Sequence, residues 1–179
     1  MKQRFIGLAL LVVPAAILAH PHARVDQQAQ MSISRSEIMI SFRVIPSTQD
    51  GAHMFDHLDT DSNGVISNRE KTAFGSSLIA NSHLTVDGGA IRLRLLDVEV
   101  PARAKLRKGQ GLISVRGRAL ASLPAGREHK VAFQIDDRQF AKGWFIQPFY
   151  HPDLTDGRSS PDVSRRAGGS SVQIRIAPK

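Results

Sequence analysis

The strongest constraint on this fold is an alternation of apolar and polar residues that recurs along most of the chain. Ile38, Ile40, Phe42 and Val44 occupy every second position, as do Leu84 and Val86, and then Ile91, Leu93 and Leu95. A period of two puts neighbouring side chains on opposite faces, so each run forms a strand with one face in a core. Residues 112–120, 131–135, 144–150 and 172–176 are further strand candidates, and 25–33 can pair with 38–44 across 34–37. Asp87, Gly88 and Gly89 between two runs form a hairpin turn, because two-residue turns need a backbone that Asp and Gly adopt readily. Roughly seven or eight short strands separated by turns predict a mainly β domain, either a sandwich or a partly closed barrel. Residues 156–171, rich in Ser, Gly, Arg and Pro, read as a long mobile loop before the last strand.

One segment breaks the alternation. Over residues 48–80, Met54, Phe55 and Leu58, and later Ala73, Phe74 and Leu78, take helical spacing. These predict two short helices inserted between the second and third strands, giving an α+β chain. Thr48 or Asp50 can cap the first helix, and Gly75 weakens the second, which should fray near Asn81. Between the helices lie Asp59, Asp61, Asn63, Gly64 and Glu70, and the stretch from Asp59 to Glu70 is 12 residues long. This spacing, D-x-[DN]-x-[DN]-G-x₅-E, resembles the EF-hand family over residues 51–80.

The resemblance implies a helix-loop-helix that binds Ca²⁺, a hard cation that takes six to eight oxygens. Asp59, Asp61 and Asn63 would supply side-chain oxygens, Val65 its carbonyl, Ser67 a bridging water, and Glu70 both carboxylate oxygens from the second helix. Gly64 falls where the loop turns sharply. EF-hands usually pair through the position held here by Ile66, and no second loop is present in the sequence: residues 153–157 place Leu154 where an oxygen is required and read as a turn. Ile66 therefore needs a partner, which can be a β-domain edge, another protein or a second copy in a homodimer. Three acidic ligands beside Arg69 in an unpaired hand predict weak binding, about 10⁻⁴ to 10⁻³ M, suited to a structural ion outside the cytosol.

Export is the expectation from the start of the chain. Residues 1–19 read as a secretory signal, with Lys2 and Arg4, an apolar stretch interrupted by Pro14, and Ala19 for cleavage. The stretch is short for a spanning helix, which needs about 18 apolar residues or more. Cleavage would leave one domain of 160 residues and lower the formal net charge from +8 to +6, in a periplasmic or secreted protein. With no cysteine in the chain, disulfides and thiol chemistry are excluded.

The new terminus would be His20, Pro21 and His22, whose amine and imidazoles suit Cu²⁺, Ni²⁺ or Zn²⁺. That start, a strand pair and a helical insert with an Asp-rich loop together resemble small periplasmic proteins or domains associated with bacterial metal uptake. This likeness implies a metal-delivery role as the alternative function. His53 and His57 lie four apart on the first helix but lack the Glu and third ligand of a zinc site, and read as surface residues.

Arg92, Arg94, Arg103, Lys105, Arg107, Lys108, Arg116 and Arg118 concentrate positive charge. The plainer reading is a solvated strand face with charged edges; the other is a surface or adhesion module that attracts anionic headgroups or polysaccharide. Aromatic residues make up 6% and do not interleave with these cations, which argues against nucleic acid. No catalytic motif is present: Gly109 to Gly111 is too short to cradle phosphate, and adjacent Asp136 and Asp137 would point to opposite faces of a strand. The expectation is a non-enzymatic, calcium-binding, accessory protein.

Overall fold

A computed structural model describes residues 25–136, 143–155, 160–166 and 169–178. Residues 1–19, read above as a secretory signal, His20 and His22, Asp137 and parts of the 156–171 stretch lie outside the described residues. The chain is mainly β. In order it forms β1 (Val25–Ile33), β2 (Glu37–Pro46), α1 (Gly51–Leu58), α2 (Asn68–Ala80), β3 (Ser82–Val86), β4 (Gly89–Ile91), β5 (Arg94–Glu99), α3 (Arg103–Arg107), β6 (Ile113–Leu120), β7 (His129–Ile135), β8 (Phe145–Tyr150), β9 (Asp162–Arg165) and β10 (Ser171–Ile176).

The strands make two separate five-stranded sheets, ordered β5-β6-β2-β1-β8 and β4-β3-β7-β10-β9, rather than one closed barrel. All neighbours are antiparallel except β1 and β8. Alternation in β2 turns Ile38, Ile40, Phe42 and Val44 inward, where each is at most 1% exposed. Between ring centroids, Phe42 lies 6.2 Å from Phe133 of the other sheet and 5.6 Å from Trp144, the latter pair T-shaped, so the sheets face each other across one core. The β3–β4 turn is two residues long: Val86 pairs with Gly89, and Asp87 and Gly88 take φ of +51° and +84°, the left-handed pair such a turn needs.

Four expectations are corrected. Ile91, Leu93 and Leu95 do not lie on one strand: Ile91 ends β4 in one sheet, Leu95 belongs to β5 in the other, and buried Leu93 sits at the crossing. Alternation records which face a side chain takes, and is blind to the strand it pairs with. Within 156–171, read as loop, residues 162–165 form edge strand β9 against β10. A mostly exposed edge strand carries no apolar alternation to reveal it. Part of the basic run forms α3, five residues anchored by fully buried Leu106, too short for helical periodicity to show. On α2, Ala73 is exposed, and Gly75 takes its place beside Phe74 and Leu78 on the buried face.

The helices seat firmly on the β scaffold. The first residue of α1, Gly51, lies against the Leu106 carbonyl of α3 with no room for a Cβ. Midway along α2, Gly75 faces Val98 and Leu95 of β5 with the same close fit. Met54, Phe55 and Leu58 from α1 and Leu78 from α2 join the core, each 3% exposed or less. Asp50 is the N-cap residue of α1, but neither it nor Thr48 makes a side-chain cap bond there. Among the described residues, no helix is long and apolar enough to cross a membrane.

Candidate metal centre

Helix α1 stops at Leu58, and Asp59, its C-cap, still donates its N–H to the Phe55 carbonyl. The chain then turns back on itself through Ser62 and Gly64, with φ of +57° and +84°. Glycine suits the second position, since a residue with a Cβ meets steric resistance there. The turn wraps around the Asp59 carboxylate, which accepts the Asn63 N–H on Oδ1 (3.1 Å) and the Gly64 N–H on Oδ2 (2.8 Å). Asp61 accepts the Asn63 N–H (3.2 Å) and amide (2.9 Å), and Asn63 Oδ1 accepts the Val65 N–H (2.8 Å).

The second helix begins with a reciprocal cap. Ser67 is its N-cap, accepting the Glu70 N–H on its hydroxyl, while Glu70 Oε2 accepts both the N–H and the hydroxyl of Ser67 at 2.8 Å. Glu70 Oε1 reaches across the loop to Thr60, accepting its N–H at 2.6 Å and its hydroxyl at 2.9 Å, with the Asp61 N–H at 3.3 Å. One carboxylate thus joins the end of α1 to the start of α2. The donors around Glu70, first the N–H and hydroxyl of Ser67 and then those of Thr60, lower its pKa to about 2 against the opposing effect of burial.

Asp59, Asp61 and Glu70 bring carboxylate oxygens within 4.8 Å of one another. Asp59 and Glu70 are buried and Asp61 is exposed. Three like charges this close repel, and a divalent cation between them removes that repulsion. Among the described residues, no other set of three or more acidic or histidine side chains meets in this way, so the exposed His53 and His57 join no such cluster. The side chains of Asn63 and Ser67 are engaged by the loop itself, that of Val65 points outward at 66% exposure, and Ile66 is half-buried against the core.

Two contributors escaped the sequence reading. Thr60 holds Glu70 by two bonds, although nothing in the spacing singles it out. Arg103 of α3 places its guanidinium 4.7 Å from the Phe55 ring centroid, and its Nη1 would lie 3.6 Å from a Cβ at Gly64. Elsewhere in the basic set, Arg116 makes a bidentate pair with Asp97, and Arg118 reaches Glu37 at 2.7 Å. Hydrogen bonding to Arg116 holds the Asp97 carboxyl below its ordinary range.

The chain matches no family model, and the comparison with curated proteins found no match either.

Proposed function

We propose that this chain is an exported calcium-binding protein of the EF-hand type, in which one ion orders the helical insert and the protein serves a binding or accessory role without catalysis. The observation that carries the reading is the convergence of Asp59, Asp61 and Glu70 within 4.8 Å between two helices. Oxygen-only donors suit Ca²⁺, and no nitrogen or sulfur favours a transition metal there. Asp59, Asp61, Asn63, the Val65 carbonyl and Glu70 would hold the ion, with Ser67 acting through a water. When bound, the ion supplies charge neutralisation and a cross-link between the helices.

A structural ion fits better than a switch. Switching hands swing their helices apart on binding, whereas α1 abuts α3 at Gly51 and α2 abuts β5 at Gly75 with no space for a methyl group at either contact. Ile66 packs on the core of its own chain, so the single hand draws its support from within.

Calorimetric titration with Ca²⁺, repeated with Mg²⁺ and with Asp59→Ala, tests the proposal. At a Kd of about 10⁻⁴ to 10⁻³ M, 10 mM Ca²⁺ stabilises by roughly 1.4–2.7 kcal/mol, a rise in Tm of about 3–10 °C. No binding heat and an unchanged Tm in the unmodified protein would end the proposal.

A further inference from the structure

We propose that Arg103 of α3 sets the affinity of the 59–70 loop, placing an exposed cation beside it that competes electrostatically with the bound divalent ion. This rests on reading that loop as an ion site. The guanidinium stacks on Phe55, in the last turn of α1 before Asp59, and its Nη1 sits over Gly64. Gly64 in turn donates its N–H to Asp59 Oδ2 at 2.8 Å. Through the connecting bonds, Nη1 therefore stands within about 10 Å of a ligand oxygen.

The position is built by the fold. Arg103 opens α3, whose buried Leu106 and tight contact with Gly51 lock it to α1, and the stack on Phe55 further restrains the side chain. Before an ion arrives, the guanidinium offsets part of the repulsion among Asp59, Asp61 and Glu70. Once an ion is present, the same charge opposes it. Arg103 thus favours the ion-free loop and weakens binding, which deepens the expectation of a low-affinity site. It acts through space as a positioning charge rather than as a ligand.

The test compares Ca²⁺ titrations of the unmodified chain, Arg103→Met and Arg103→Lys at low and high ionic strength. At about 10 mM salt, where screening is weak, Arg103→Met should bind roughly three- to tenfold more tightly, and at 1 M salt the difference should fall below about twofold. Arg103→Lys, which keeps the charge and alters the stack, should remain close to the unmodified protein. A second readout is the Tm rise on adding Ca²⁺, which should be larger for Arg103→Met because its ion-free form has lost the compensating charge. Equal affinities for the unmodified protein and Arg103→Met at low salt, or a gain that ignores salt, would overturn the inference. If the unmodified protein binds no Ca²⁺, the failure lies with the ion site itself.

Discussion

Replacing Gly75 by alanine should destabilise the protein, although the residue sits inside a helix where alanine is ordinarily preferred. Helix propensity alone favours the change by about 0.8–1.0 kcal/mol. Packing opposes it: the new methyl would overlap Val98 Cγ2 and stand 3.0 and 3.3 Å from the two methyl carbons of Leu95. Leucine can swing its terminal methyls aside, but valine is stiff at χ1, so α2 must lift away from β5. Overpacking of this kind costs about 1–3 kcal/mol, and an overlap with so rigid a neighbour belongs in the upper part of that range. The net expectation is a loss of about 1–2 kcal/mol, read as a lower urea midpoint with an unchanged m value. Val98→Ala in the same chain opens the space, so the double variant should lose less than the two single losses together by about 1 kcal/mol. Because α2 carries Glu70, the proposed calcium site predicts that Gly75→Ala also weakens Ca²⁺ binding. A Gly75→Ala protein more stable than its parent would refute the close-fit argument.

Acid should destabilise the protein through the carboxylates held below their ordinary range, Glu70 and Asp87 as well as Asp97. Glu70, with a folded pKa of about 2 against an ordinary 4.5, contributes stability that is complete above pH 4.5 and lost as pH falls toward 2. Asp87 acts in the same sense, held below its ordinary 3.8 first by the Lys130 N–H and then by His129; urea midpoints that stay flat from about pH 5 to 2.5 would contradict both assignments. His129 is 2% exposed, with Nε2 against the Pro124 carbonyl at 2.8 Å and Nδ1 against Asp87 at 2.9 Å. His129→Phe should therefore cost about 2–3 kcal/mol in chemical denaturation, since it removes a charge-assisted bond and strands a carbonyl. Gly51→Ala drives a methyl into the Leu106 backbone and should separate α1 from α3, at a cost of about 3 kcal/mol or more and with faster amide exchange in α1.

Much of the fold was legible in the residues alone. The runs ending at Val44, Val86 and Ile176 named their strands because a strand with one buried face must alternate, the hairpin at 87–89 followed from turn chemistry, and the 25–33 run pairs with β2 as expected. The acidic loop was legible for another reason: Asp59, Asp61 and Glu70 lie within 12 residues, so spacing alone brings their carboxylates together. Residues with no local signal escaped. Edge strand β9 has almost no buried face, α3 is one turn long, and Leu93 keeps the alternation while the chain changes sheets. Gly75 read as a weak point in a helix, and the structure makes it the place where α2 comes closest to β5.

By itself the sequence determined the β character, the inserted helix pair and the closeness of Asp59, Asp61 and Glu70, because each depends on residues a few positions apart. Only the tertiary structure decided how the strands divide between two sheets, and that Arg103 stands over the loop from 39 residues beyond Gly64. Those relations join segments far apart in the chain, and such segments meet only when burial of a common core draws them together.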